Sequence, residues 1–403
     1  MSIFFTNDFH SHIPDSISFL NTVSSLKKND QDILVDLGDF SEGTSFFTLY
    51  SGSYEKEILK RYYDVALPGN HGFKNIVELF DDGFNVVCSN LYKNKKVFFN
   101  KYYLTKQNNE DIAFIGIISE DAFLSIEKKI RTNFSVKNPY KVLPPLIKEL
   151  KEKNKRVVLL SHSGFEYDMK LAKNMDGIDV ILSSHCHSAN TYQLVKNTYI
   201  LKSLEEGKGY GQLDITYAHL KFKFNELLEE SELNSNYKYL EKILYDCQNS
   251  LSKIILDGNT IYINNRKRFT KELNTFLLTK FNADAALINY SMFRSIKISD
   301  NFTYKDLYDF CPFDNSIAVI KVSEEDLRIG LNSMPDDMQE FLVLSGFLKK
   351  GSIKSQVVTT TYILNNFFAH LNKKRYTVAS NIRELMLEYL TNLNKNDTNW
   401  KQD

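Results

Sequence analysis

Over its first two hundred residues the chain alternates short apolar runs with polar, glycine-bearing turns and helix-like segments. That rhythm predicts an α/β fold. Strands are expected at 2–6, 32–36, 64–66, 85–88, 111–118, 156–161, 180–183 and 198–202, with a last strand-like piece at 212–217. Most of these runs are followed closely by a residue capable of chemistry: Asp8, Asp39, Asn70, His162 and His185. In α/β sheets the loops leaving the carboxyl ends of strands converge on one rim, which is where ligands bind. The pattern then changes. A long polar stretch, 227–255, carries Tyr239, Leu240, Ile243, Leu244 and Cys247 at helical spacing, predicting a linker with a helix. From about 261 to 393 a second set of helix and strand patterns follows, closed by a polar tail. The expected division is residues 1–220, a connecting segment at 221–258, and a smaller α/β domain at 259–403.

Length agrees with this division, since 403 residues exceed one ordinary core and suit two. Fifty basic and fifty acidic residues cancel, so no global field draws the chain to nucleic acid or to anionic lipid. Any phosphate must be held locally. Cys88, Cys186, Cys247 and Cys311 are scattered, without a paired spacing, and read as free thiols. No stretch approaches the roughly 20 apolar residues of a membrane span, and no secretory signal is visible at the start. The expected setting is the cytoplasm, with no membrane and no nucleic-acid partner; the sequence leaves the oligomeric state open.

Five short motifs in the first half supply metal-ligand atoms in order: Asn7-Asp8-Phe9-His10, Gly38-Asp39, Gly69-Asn70-His71, Ser161-His162 and His185-Cys186-His187. Taken singly each is weak, because a lone histidine is more often an ordinary hydrogen-bonded residue and Gly-Asp or Gly-Asn more often a turn. Jointly they follow successive strand-like runs, and they hold five of the eight histidines. Alternate residues of an extended segment share a face, so Asp8 with His10, and His185 with His187, project together. Imidazole, carboxylate and amide oxygen favour Zn, Mn, Fe or Co over Ca. Alternation turns Cys186 away and makes it a packing residue, and Asp36 is a candidate to orient a ligand from behind.

In this order the motifs resemble the calcineurin-like metallophosphoesterases, and 175–187 is similar to a stretch of the 5′-nucleotidase family. The resemblance implies a two-layered β-sandwich core flanked by helices, followed by a smaller α/β substrate domain. It implies two divalent metal ions, one held by Asp8, His10, Asp39 and His187, the other by Asp39, Asn70, His162 and His185, with Asp39 as the bridge. It implies phosphoester hydrolysis by a metal-bridging hydroxide, most simply release of phosphate from a nucleotide or related phosphomonoester. Asn70 would also meet substrate, and His71 would act on the phosphoryl or leaving-group oxygen as stabiliser or general acid. One departure stands beside it. The family runs Asn-His-x-x-Asp, whereas here Lys74 occupies the place of the Asp that supports the histidine. A lysine there disfavours the imidazolium. Asp168 and Glu166 are candidate substitutes.

Farther on, 283–294 and 302–315 resemble the C-terminal domain of 5′-nucleotidases, with the spacing from Arg294 to Pro312-Phe313 kept. The resemblance implies that Arg294 pairs with substrate oxygens, that Phe313 stacks on a nucleobase and that Asn315 bonds its edge; Arg266 and Arg268 are weaker substrate candidates. Here too there are departures. Tyr290-Ser291-Met292-Phe293 replaces glycines, and Val378-Ala-Ser-Asn381-Ile-Arg383 lacks the family's second stacking phenylalanine. With the departure at His71, these leave open a phosphodiesterase or cyclic/dinucleotide hydrolase on the same scaffold, and Lys74 leaves open a weakly active or non-catalytic metal- and ligand-binding homologue.

Overall fold

Along strand Glu110–Ile118 of the computed structural model, Ile112 and Phe114 turn to one face and Ala113, Ile115 and Ile117 to the other, all fully buried. Such a strand is covered on both sides. Described are residues 2–107, 110–153, 155–186, 191–216, 219–228, 232–257, 261–263, 265–294, 296–298, 301–313, 315–334, 339–351 and 353–396. They fall into two units, Met1–Tyr245 and Asp246–Asp403.

Two sheets build the first unit. One runs in the order Leu220–Glu226, Gly209–Ile215, Ile3–Thr6, Ile33–Asp36, Val65–Ala66; its last three strands are parallel. The other runs Tyr192–Val195, Thr198–Leu201, Val180–Ser183, Arg156–His162, Glu110–Ile118, Tyr102–Gln107, with four parallel strands in its middle. Ile3, Phe5, Val35 and Leu213 of the first sheet pack with Phe114, Val158, Leu160 and Leu182 of the second in one core, so the sheets lie face to face. The other face of the second sheet buries Ile115, Leu159 and Ile181 under helices Pro139–Glu152 and Phe165–Asn174, through Leu143, Ile147, Leu150 and Leu171. This is the expected β-sandwich with flanking helices.

The run 85–88 departs from expectation. Instead of a strand it makes two isolated bridges, Ala66 to Val86 and Val87 to Asn100. It passes between one sheet's edge and a loop, bonding only a residue or two of each: Ala66 N–H to Asn85 O at 3.0 Å, Cys88 N–H to Asn100 O at 2.9 Å. The segment expected to link the domains contains strand Leu220–Glu226, paired throughout with Gly209–Ile215, and helix Lys238–Ser252.

In the second unit a mixed sheet runs Leu342–Gly346, Ala285–Asn289, Ser355–Thr360, Ser316–Val322, Tyr376–Asn381. Helices Arg266–Phe281 and Ile382–Asn396 cover one face through Phe269, Leu273, Leu385 and Met386. Helices Glu324–Asn332 and Thr361–Phe367 cover the other through Leu327, Ile363 and Leu364. All four cysteines are thiols, and no helix of the described residues is long and apolar enough to cross a membrane.

Candidate metal centre

Every ligand candidate of the first unit within the described residues sits just past a parallel strand or at its end. Asp8 follows Ile3–Thr6, Asp39 follows Ile33–Asp36, Asn70 follows Val65–Ala66, His162 ends Arg156–His162 and His185 follows Val180–Ser183. Backbone bonds stitch the first two loops together: Asp8 N–H to Gly38 O at 3.1 Å, His10 N–H to Asp39 O at 2.9 Å and Ser11 N–H to Phe40 O at 3.0 Å. The backbone is strained where they meet. Asp8, His10, Asp39, Glu42 and His185 all have positive φ, between 50° and 80°. For side-chain-bearing residues that conformation costs on the order of 1–3 kcal/mol each and persists where the surroundings impose it.

Ligand atoms of Asp8, His10 and Asp39 lie within 4.8 Å of one another, as do those of Asp39, His162 and His185. Asp39 belongs to both groups. The imidazoles are aimed from behind. His162 Nδ1 lies 2.9 Å from Leu37 O and from Ser184 Oγ, which turns Nε2 to Asp39 Oδ1 at 3.3 Å and Asn70 Oδ1 at 3.1 Å. His10 Nδ1 lies 3.0 Å from Glu42 O, leaving Nε2 3.8 Å from Asp39 Oδ2. A backbone carbonyl behind each ring is what fixes a metal-binding tautomer. Asp8 is held by Asn7 Nδ2 at 2.9 Å and by the His185 N–H at 3.1 Å. His187 lies outside the described residues.

Charge at the cluster is concentrated and largely buried. Burial pushes the Asp8 carboxyl above its ordinary range. Burial would do the same to Asp39, but the imidazoles around it, His162 first and then His71 and His10, together outweigh it and hold Asp39 below the carboxylate range. Burial would lower His162 too, yet Asp39 and Asp8 more than offset it and push it up to about 9. Two buried carboxylates facing imidazoles fit a divalent cation, which compensates the same negative charge once the imidazoles give up their protons.

Three glycines leave room for this. A Cβ on Gly69 would lie 1.9 Å from Asp39 Oδ1, one on Gly38 2.7 Å from His162 Nδ1, and one on Gly72 2.6 Å from Ser41 Cβ. Asp36 is buried and accepts from the Gly38 N–H at 2.9 Å and from Thr6 Oγ1 at 3.1 Å, so it shapes the turn before Asp39 and touches no ligand side chain in these bonds. Cys186 turns its Sγ to the Phe165 N–H at 3.1 Å.

His71 stands at the rim, its ring edge-on to His10 with centroids 5.1 Å apart and its side chain 41% exposed. Its backbone N–H donates to Asp39 Oδ1 at 2.8 Å. Lys74 turns away: it is 75% exposed and pairs at 3.7 Å with Glu78, one turn along its own helix. Neither proposed substitute carboxylate is shown beside His71. Asp168 is buried between Ser161 Oγ at 2.6 Å and Ser183 Oγ at 2.5 Å, clamping two strand ends, and burial pushes it up to about 7. The carboxylate facing His71 is Glu42, Oε2 to Nδ1 at 3.9 Å.

In the second unit Arg294 lies over Phe313, guanidinium carbon to ring centroid 5.7 Å, and both are exposed. Asn315 follows on the same loop, its N–H bonded to Phe313 O at 3.1 Å. Arg266 donates to Phe293 O at 3.1 Å and lines an open cleft with Asn265, Lys267 and Tyr290. Arg268 pairs instead with Glu272, along its helix, at 3.4 Å. The side chains that replace glycines do not all enter this surface: Met292 and Phe293 are buried, and Phe293 stacks on Phe310 with centroids 5.2 Å apart.

Residues 1–189 match the family of calcineurin-like phosphoesterases. That match spans 189 of the chain's 403 residues. Residues 260–381 match the 5′-nucleotidase C-terminal domain. Among its relatives, the trifunctional nucleotide phosphoesterase protein YfkN of Bacillus subtilis (strain 168) is 21% identical over 92% of this chain and 29% of its own. The 5′-nucleotidase of Bos taurus is 26% identical over 49% of this chain and 39% of its own. The chain thus spans well under half the length of these two relatives. Of solved structures, the 5′-nucleotidase precursor from Thermus thermophilus superposes with a TM-score of 0.72 at 18% identity, over 98% of this chain and 96% of that one. That likeness shows a shared fold.

Glu42 is the functional candidate that sequence reading missed in this chain. It lies 29 positions before His71, and only the pairing of the two strand-end loops brings them together. The one local signal was a carboxylate three residues after a motif aspartate, which is common on any surface.

Proposed function

We propose that the chain is a dinuclear metal-dependent hydrolase that releases phosphate from a nucleotide or related phosphomonoester. The observation that carries the reading is Asp39, a buried carboxylate common to two adjoining groups of ligand atoms. Asp8, His10 and Asp39, with His187, would hold one divalent ion, Zn, Mn, Fe or Co; Asp39, Asn70, His162 and His185 would hold the other. Such a pair supplies Lewis acidity, lowering the pKa of water and neutralising charge on the phosphoryl group. This chain's own residues do the rest. Leu37 O, Ser184 Oγ and Glu42 O fix the two rings whose Nε2 atoms face Asp39. Asn70 borders both ligand and substrate, and His71, exposed at the rim, meets the phosphoryl or leaving-group oxygen as electrostatic stabiliser or proton donor. Arg294, Phe313 and Asn315 contribute to recognition of the nucleotide, with Arg266 as a further cation. Arg268, tied to Glu272, is the weakest of these assignments. Four thiols without a disulfide support a reducing, cytoplasmic setting.

Glu42 beside His71 favours turnover over the reading of a binding protein without catalysis, since that alternative drew on Lys74. The test is a Mn²⁺-supplemented panel of nucleoside monophosphates, cyclic nucleotides, nucleotide sugars and sugar phosphates. Phosphate release from monophosphates is expected. Cleavage confined to cyclic or bis-substituted phosphates would sink the phosphomonoester reading and leave a phosphodiesterase.

A further inference from the structure

Resting on that reading, the geometry points to Glu42 as the positioning residue of His71, a carboxylate delivered by the loop after Asp39 in place of the one missing at position 74. Three observations carry this beyond a chance surface contact. First, the Glu42 carboxylate is pinned: its Oε2 accepts the Gly72 N–H at 2.7 Å, the residue next to His71, while lying 3.9 Å from His71 Nδ1. That separation is ion-pair reach rather than a hydrogen bond, and hydrogen bonds at catalytic groups are often long until substrate is bound. Second, the backbone of Glu42 is forced. Its φ is 77°, its N–H is held by Ser11 Oγ at 2.9 Å and its carbonyl meets His10 Nδ1 at 3.0 Å. A left-handed glutamate costs stability and is sustained here by bonds on both sides. Third, the competing group is elsewhere, since Lys74 pairs with Glu78 and stays 75% exposed.

A carboxylate facing Nδ1 directs the other ring nitrogen outward. His71 Nε2 is then the atom presented to the leaving oxygen. Losing this orientation matters most where the leaving group needs a proton and least where it departs unaided. Position 74 provides a route to repair. Lys74 lies in the first turn of helix Phe73–Asp81, where an aspartate is compatible with the helix dipole, and Lys74→Asp would restore the carboxylate three residues after His71.

The experiment compares full-length wild type with Glu42→Ala, Glu42→Gln, Lys74→Asp and the Glu42→Ala/Lys74→Asp double variant. Each is assayed with Mn²⁺ on a nucleoside monophosphate and on p-nitrophenyl phosphate, and each is titrated with Mn²⁺ by calorimetry. Glu42→Ala and Glu42→Gln are expected to lose about 10- to 100-fold in kcat on the nucleotide, with KM within about twofold and a much smaller loss on p-nitrophenyl phosphate. Lys74→Asp alone should match wild type, the double variant should regain most of the lost kcat, and Mn²⁺ affinity should be the same throughout. Equal losses on both substrates, full activity in Glu42→Gln, no recovery in the double variant, or weakened Mn²⁺ binding in Glu42→Ala would each overturn the assignment and leave the hydrolase reading standing. A wild type that cleaves no phosphoester overturns both. Circular dichroism identifies a variant that has not folded; in that case the isosteric Glu42→Gln, which keeps an acceptor for Gly72, decides the question.

Discussion

Phe313, proposed to stack on a base beside Arg294, carries the most direct residue-level prediction about substrate. The ring is exposed with a cation over it, and stacking of a base on an aromatic side chain is worth about 1–3 kcal/mol. Phe313→Ala should therefore raise KM for a nucleoside monophosphate by about five- to a hundredfold, leaving p-nitrophenyl phosphate kinetics unchanged. Equal effects on both would assign Phe313 to packing. A second residue-level statement concerns acid. Asp326 accepts from Arg375 through both carboxylate oxygens and from Ser323, and these partners, Arg375 first, hold its carboxyl below the ordinary range against the opposing effect of burial. A depressed pKa contributes stability above the unfolded value of about 4, and that stability is lost as pH falls toward the folded value. Melting temperature should fall between about pH 5 and pH 2.5 more steeply in wild type than in Asp326→Asn. Parallel curves would show that the pair contributes nothing measurable.

At the scale of elements, the site is an outcome of where strands stop. The buried alternation of Ile112 to Ile118, Val157 to Leu160 and Val180 to Leu182 places both faces of the second sheet in core, which fixes register and so fixes which residue emerges first at each strand end. The turns then have little freedom. Gly69 shows how little: any Cβ would displace Asp39, whose Oδ1 would be 1.9 Å away and whose backbone nitrogen 2.4 Å. Gly69→Ala should weaken Mn²⁺ binding, measured by calorimetry, by at least about tenfold, in a protein destabilised by about 1–3 kcal/mol; unchanged affinity would mean that Asp39 is not a ligand. The same reasoning explains what could be read from sequence. Strand runs and their terminal Asp, Asn and His residues follow from local pattern, so the sandwich and the ligand candidates at strand ends were legible. Glu42, the burial of Asp168 between Ser161 and Ser183, and the inward turn of Met292 and Phe293 depend on long-range packing. The 85–88 run failed as a strand because an apolar stretch needs a neighbouring edge to pair with, and this one meets only short lengths of backbone on each side.

For the whole molecule, the two units carry different kinds of chemistry. The first concentrates imidazole and carboxylate in a buried cluster, and the second presents exposed cations and an aromatic ring. Arg383 illustrates how the second is kept in shape: though nearly buried, it donates to the carbonyls of Cys311 and Pro312 at 2.7 and 2.9 Å, bracing the turn that leads into Phe313 from the segment where a stacking phenylalanine is missing. Net charge is zero, so attraction of the proposed anionic substrate would have to come from local groups. Asp39 is proposed to unite two metal sites in a hydrolase. Phosphate release from a nucleoside monophosphate, followed in wild type and Asp39→Ala with Mn²⁺ and again after chelation, tests it most directly. Release by wild type that chelator abolishes and Mn²⁺ restores, with Asp39→Ala at background under both conditions, is the predicted result. Equal release by the two proteins, or release by wild type that survives chelation, would contradict it.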